Sequence, residues 1–276
     1  MTERLQVDLE GVPETLLWTL YHRAVEARRS DAVLDDPRAV ELVERLDYPF
    51  EERFGGGALG QWQALRVACF DREIRRFMRA NPGGTVVALG EGLETQFWRV
   101  DDGRVRWIGV DVPQAIALRT RLLPGSDRQR NIARSALDEE WLDEVAGDEP
   151  VLVTAQGLLM YFEIDAVHRL LAACAARLPG GALLFDAMPR WLSNASRRGG
   201  VKSATGYQPP PWLWGIDAAE ERLLASLPNV TELRPLPLPR GRGAVHGGLL
   251  PMLARVPALR RAMLSVYAMR FGRPAG

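Results

Sequence analysis

A chain of 276 residues that is 47% hydrophobic and 25% charged can bury one large core, with or without a cap, but scarcely two domains of average size. Its 35 Lys and Arg balance 35 Asp and Glu, so net charge recruits neither nucleic acid nor an anionic membrane. No apolar run reaches the roughly 18 residues of a membrane span, and the opening MTERLQVDLEG lacks the apolar centre of an export signal, so a cytoplasmic protein is expected.

The first eighty residues read as helical. Glu14 to Arg29 is one amphipathic run, and Asp36-Pro37 opens a second, with Asp at the N-cap and Pro in the first turn. Gly55-Gly56-Gly57 breaks the chain before a third run, Ala58 to Ala80, which Asn81-Pro82-Gly83-Gly84 stops. This block, residues 1–84, is expected to form a helical cap. The two cysteines, Cys69 and Cys174, fall within helical runs and read as reduced core thiols. His22, His168 and His246 show no metal-ligand spacing, so no metal is expected.

From Thr85 short apolar runs alternate with helical ones. TVVAL (85–89), VRWIGV (105–110), VLVTA (151–155) and ALLF (182–185) read as buried strands, with a weaker one at about 129–133. The runs 114–123, 139–145 and 163–178 have helical periodicity. Such alternation predicts an α/β, Rossmann-like domain over residues 85–276, with a mostly parallel sheet built from right-handed crossovers. Residues 187–216 interrupt it with a Pro- and Gly-rich insertion, and a loop this long inside a compact domain is usually functional. A helix at 217–227, a strand at 230–236, the loop PLPRGRGAVHGG and an arginine-rich helix or strand complete the chain.

The chemistry is signalled by VVALGEGLETQFWRV, residues 86–100. An apolar strand runs into Gly90-Glu91-Gly92, and a helix is expected directly afterwards. Glycine is needed where backbone turns sharply and a ligand packs against it. The next strand ends at Asp111, about twenty residues on, where dinucleotide and adenosyl sites place the acid that accepts from two ribose hydroxyls. A nicotinamide oxidoreductase wants a third glycine, but that position is Thr95, and Glu91 and Glu94 would repel a pyrophosphate. S-adenosylmethionine has no phosphates and carries a sulfonium cation, so the local charge favours it.

These segments resemble the leucine carboxyl methyltransferase family, in particular its bacterial branch with polyketide-tailoring O-methyltransferases. The pattern G-x-G-L-[DE]-T-x-[FW]-[YFW]-R is matched by Gly90, Gly92, Leu93, Glu94, Thr95, Phe97, Trp98 and Arg99, and V-D-x-P by Val110, Asp111 and Pro113. AQGLLMYF (155–162) and PGG-x-LLFD (179–186) follow in order, and DDP at 35–37 with Arg66 and Asp71 fits upstream. The resemblance implies a class I fold of seven strands, one antiparallel near the C-terminus, with S-adenosyl-L-methionine as cofactor. It implies that Arg66 binds the donor's methionine carboxylate, that Gly90 and Gly92 lie against the same part and that Asp111 holds the ribose. Ser135, Ala136 and Leu137 fall where the family contacts adenine, and Gln156 where it contacts the amino end. Relatives usually carry Asp and Glu at the positions of Ser135 and Gln156, which leaves open a donor-binding protein without catalysis.

The acceptor is expected to be a small molecule. Trp191, Tyr207, Trp212 and Trp214 cluster in the 187–216 insertion, and Tyr161 follows the fourth strand near the donor. Each could simply anchor a loop in the core; as a group they are expected to wall an acceptor pocket, since ligand pockets are largely apolar. Pro209-Pro210-Pro211 would hold Trp212 to Trp214 extended, as a lid. The sequence offers no convincing general base, which leans towards a carboxylate acceptor over a phenol.

Overall fold

A computed structural model describes residues 4–7, 9, 11–55, 59–145, 147, 149–203 and 205–273. Its framework is a seven-stranded sheet: β1 (Thr85–Leu89), β2 (Arg106–Asp111), β3 (Gln129–Ala133), β4 (Val151–Ala155), β5 (Ala182–Ala187), β6 (Val230–Leu236) and β7 (Ser265–Phe271), in the spatial order β3-β2-β1-β4-β5-β7-β6. Strands β1 to β5 pair in parallel, and β7 runs antiparallel to both β5 and β6. The strand order reverses at β1 and β4, so their carboxyl ends open a crevice, the usual ligand position in open α/β sheets.

Side chains alternate across the sheet as its pleat demands. Val87 and Leu89 face one layer with Val153, Phe185, Trp141 and Leu171, whereas Val86 and Ala88 face the other with Trp107, Leu152, Phe70 and Ile74. The helices of the first layer are α7 (Glu140–Val145) and α8 (Ile164–Arg177); those of the second are α4 (Gly60–Ala80) and α5 (Gln96–Val100). Cys69 and Cys174 sit buried on α4 and α8, and burial pushes their thiols up to about 11 and about 12. No helix among the described residues is long and apolar enough to cross a membrane.

The N-terminal segment forms α1 (Thr15–Ala27), α2 (Pro37–Arg45), the unanticipated short α3 (Phe50–Phe54) and α4. Asp36 caps α2 as expected, accepting from the Ala39 amide at 3.2 Å, with Pro37 in the first turn. The expected start of the third helix at Ala58, and most of the glycine triplet before it, lie outside the described residues, as does the end of the chain. The apolar faces of α1, α2 and α3 share one cluster with Leu93, Leu118, Met160, Met188 and Trp212 of the sheet domain.

Two expectations need correction and one, the weak strand, is met. The helix after Gly92 does not begin at once: Gly92 and Leu93 turn first, and α5 starts at Gln96 behind Thr95, because Glu94 and Thr95 are committed to buried polar contacts. The weak strand at 129–133 forms with those bounds but at the sheet edge beside β2, which explains its polar, half-exposed pattern. The arginine-rich terminus divides into a π-helical turn (Val245–Leu249), α11 (Leu250–Leu253) and α12 (Pro257–Arg261) before β7. The remaining helices are α6 (Pro113–Leu122), α9 (Arg190–Arg197) and α10 (Ala218–Ala225).

Candidate functional site

A cavity of about 380 Å³ opens at the carboxyl ends of β1, β2 and β4. Eight residues singled out in the sequence line it together: Arg66, Gly90, Gly92, Asp111, Ser135, Ala136, Gln156 and Tyr161. They come from α4, four strand-end turns and the 3-10 turn Leu159–Tyr161. Leu137 does not line it and is 38% exposed; its amide instead donates to the Ser135 hydroxyl at 3.2 Å. Val12, Pro13, Thr15, Leu16, Thr19 and Arg23 close one side, a contribution that no sequence motif marks.

Gly90 (φ +62°) and Gly92 (φ +49°) both occupy left-handed backbone. A Cβ on Gly90 would meet Leu158 Cδ1 at 2.7 Å, so another residue there would both displace that side chain and strain the left-handed backbone. Asp111 braces that turn. One carboxylate oxygen accepts from the Gly92 amide at 2.7 Å and the other from the Val112 amide at 2.8 Å. Burial raises the Asp111 pKa, opposed by those two amides. Each oxygen keeps a second lone pair for a ligand hydroxyl.

The two glutamates of the turn are each engaged by partners within the protein. Glu91 is buried against β2, taking Trp107 Nε1 at 2.9 Å and Arg119 Nη2 at 2.8 Å on one oxygen; burial pushes it up to about 7 against the pull of Arg119 and Trp107. Burial would likewise raise Glu94, but Arg23 and Arg99, each 2.8 Å away, win and bring it down to about 2. Their charges are thus matched by arginines, and electrostatic repulsion alone discriminates against a pyrophosphate less than the sequence suggests.

Glu94 belongs to a buried network. Arg99 also contacts Asp36 at 2.8 Å and Asp71 at 2.9 Å, Thr95 Oγ1 donates to Asp36, and Gln96 donates to Asp71 at 2.8 Å. The network fastens α1, α2, α4 and α5 around the turn. Its outermost member is Gln156, whose Nε2 donates to Glu94 Oε2 at 3.0 Å. An ionised carboxylate can only accept, so the amide orientation is set, and Gln156 Oε1 is left buried with no partner among the described residues.

Arg66 is paired as well. Nη1 donates to Asp186 at 2.6 Å, Asp186 takes the Gly157 amide at 2.6 Å on its other oxygen, and Arg66 Nε is buried without a partner among the described residues. The guanidinium lies 5.6 Å above the ring centre of Trp62.

The aromatic residues of the insertion lie elsewhere. Trp214 is fully buried, 6.0 Å from the Phe185 ring, and its Nε1 donates to Glu220 at 2.9 Å. Trp212 is buried in the cluster beneath α1, with its backbone tied to Ser193 and Ser196 on α9. Tyr207 packs edge-on against Phe54 at 4.9 Å and also meets Trp18. Trp191 is 58% exposed and donates to the Ala262 carbonyl at 3.0 Å. None of the four lines the cavity, and the chain around them contains α9 rather than a loose lid.

With this geometry in view, comparison with known proteins is decisive. The leucine carboxyl methyltransferase family matches residues 17–175. The chain belongs to that family. It is 36% identical over 211 residues to the tetracenomycin polyketide synthesis O-methyltransferase TcmP of Streptomyces glaucescens, covering 76% of this chain and 77% of the relative. It is 28% identical to a putative S-adenosyl-L-methionine-dependent methyltransferase of Parafrankia, covering 82% and 83%. Among solved structures, a duf574 family protein of Streptomyces avermitilis superposes with a TM-score of 0.56 at 13% identity over 93% of this chain and 97% of its own. A putative methyltransferase of Thermobifida fusca gives 0.53 at 16% identity over 92% and 94%. These likenesses are in fold.

Family members use S-adenosyl-L-methionine, and the cavity fits it. Its volume falls in the range of small-ligand pockets. The unpartnered Gln156 Oε1 suits an ammonium, the Arg66 guanidinium suits a carboxylate, and the spare lone pairs of Asp111 suit a diol. Glu94, Asp186 and Arg23 were not assigned roles from sequence. Glu94 and Asp186 stand inside recognisable motifs; Arg23 has no signal beyond its place on an amphipathic helix.

Proposed function

We propose that this methyltransferase transfers the methyl of S-adenosyl-L-methionine to a carboxylate or phenolic oxygen of a small molecule, in polyketide-like secondary metabolism. Two things support the oxygen and the substrate class: 36% identity to a polyketide O-methyltransferase, and a cavity without a free base. Arg66 would take the methionine carboxylate, Gln156 the ammonium and Asp111 the ribose diol, while Ser135 and Ala136 border the adenine and Leu137 flanks them.

When bound, the donor supplies a methyl already activated on a cationic sulfur. The chain contributes alignment and exclusion of water. Of the carboxylates lining the cavity, Glu94 is ion-paired, Glu91 is engaged by Trp107 and Arg119, and Asp111 braces the turn. Burial raises the Tyr161 phenol. None is free to remove a proton from an acceptor, which suits an acceptor that arrives ionised, as a carboxylate does at neutral pH.

The test uses melts and product chemistry. S-adenosyl-L-methionine and its demethylated product should stabilise the protein by about 2.7 kcal/mol at a hundredfold excess over Kd, and NAD should not. A labelled methyl should then appear in an aromatic carboxylate or phenol, base-labile if an ester and base-stable if an ether. Stabilisation by NAD alone, or label found on nitrogen or carbon, overturns the reading.

A further inference from the structure

A second cavity, of about 600 Å³, lies at the same edge of the sheet and shares no lining residue with the first. Its walls come from the carboxyl end of β6 (Pro235, Leu236), the start of β7 (Ser265), α4 (Trp62, Leu65) and the chain between β6 and β7. Because β7 is antiparallel to β5 and β6, the end of β6 and the start of β7 meet at the edge where Gly90 and Asp111 stand. The first turns of α4 separate the cavities: Arg66 lines the first and Trp62, whose ring carries the Arg66 guanidinium 5.6 Å above it, lines the second.

The second cavity is mainly apolar, with prolines, Leu238, Leu250 and Met263 in its wall, but it carries three arginines. Arg260 is neutralised, with Glu221 3.0 Å and the Tyr267 hydroxyl 3.1 Å from it. Arg240 and Arg255 are exposed to solvent and have no carboxylate partner among the described residues. The wall is fixed in place by Gln61 of α4, which accepts the Arg242 amide and donates to His246 Nδ1 at 3.0 Å. An apolar chamber with two unmatched guanidinium groups suits a flat hydrophobic molecule bearing an anionic group.

We propose that this chamber, and not the 187–216 insertion, binds the body of the methyl acceptor, and that the acceptor is an aromatic or similarly apolar molecule bearing, apart from the oxygen that is methylated, a carboxylate that Arg240 and Arg255 engage. It would reach the donor past the Trp62–Arg66 pair. The inference rests on the methyltransferase reading above and deepens it. The cluster of Trp191, Tyr207, Trp212 and Trp214 is committed to packing or to the surface, and leaves the acceptor no comparable space.

The test uses the full chain saturated with S-adenosylhomocysteine, with 9-anthracenecarboxylate as the probe and 9-anthracenemethanol as its neutral counterpart, both followed by fluorescence anisotropy. The carboxylate should bind about tenfold more tightly than the alcohol, as expected for charge-assisted hydrogen bonds, and the Arg240→Ala/Arg255→Ala double variant should erase that preference. Leu250→Trp, which fills the chamber, should abolish binding of both probes, and both variants should titrate S-adenosylhomocysteine like the parent. Probe binding untouched by both variants, or absent from a parent that binds S-adenosylhomocysteine, overturns the chamber alone. A parent that does not bind S-adenosylhomocysteine overturns the methyltransferase reading and the chamber with it.

Discussion

Gln156 donates its amide nitrogen to Glu94 at 3.0 Å across 62 residues of sequence, and the carbonyl oxygen of the same amide is left buried and unpartnered in the cavity. A neutral side chain thus stands beside a carboxylate held ionised by Arg23 and Arg99, with its acceptor end left unpartnered. Where the family resemblance implies a second carboxylate, this chain has an oriented amide.

Replacing Gln156 with Met removes that acceptor at similar volume. Donor binding should weaken by about 1.5–3 kcal/mol, the range for a hydrogen bond to a charged group. Asp111→Ala should do likewise, through the ribose. Calorimetric titration with S-adenosylhomocysteine checks both, and parent-like affinity in both folded variants would refute the placement of the donor.

Arg66 and Asp186 form a buried pair at 2.6 Å. Removing either partner strands a charge, so Arg66→Met and Asp186→Asn should each cost about 3–5 kcal/mol of stability. The double variant should cost less than the sum, because the second change removes the charge that the first left unmatched. Urea melts of the three variants measure this, and simple additivity would show that the pair is not coupled.

Glu91 makes stability depend on pH. Its pKa rises to about 7 in the folded chain, mainly through burial, from an ordinary value near 4.5. A carboxyl that holds its proton more tightly when folded favours folding most at low pH, and that contribution is lost as pH climbs from about 4.5 through 7. The loss is roughly 3 kcal/mol. Glu91→Gln, which cannot titrate, should remove this part of the slope between pH 5 and pH 8 in urea melts. An identical slope in variant and parent would contradict the assignment.

The tryptophans of the insertion should separate by burial. Trp212→Ala and Trp214→Ala should each cost about 3–5 kcal/mol, as for large aromatic side chains removed from a core. Trp191→Ala removes an exposed ring with one hydrogen bond and should cost less than about 1.5 kcal/mol. Trp212→Ala with an unchanged melt and lost acceptor methylation would return the acceptor to the insertion.

The strands were legible in the sequence because short apolar runs between helical periods have few other uses, and β1, β3, β4 and β6 keep the bounds that their residues imply. The glycine turn, Asp111 and the Asp36 cap were legible for a related reason: each is a local device, set by backbone conformation or by a side chain reaching its own neighbours. Sequence therefore determined the sheet, the cofactor class and eight of the residues that line the first cavity.

Direction was decided only by tertiary structure. Glu91 and Glu94 stand three residues apart in one turn, yet one is buried against β2 beside Arg119 and the other joins Arg23 and Arg99 beneath Gln156. Asp186 meets Arg66 across 120 residues. Aromatic density in the 187–216 segment indicates burial but not against what, and packing placed Trp214 against Phe185 and Trp212 beneath α1. The second cavity is less legible still, for it exists only where α4, β6, β7 and the chain between those strands fail to fill the space that close packing elsewhere consumes.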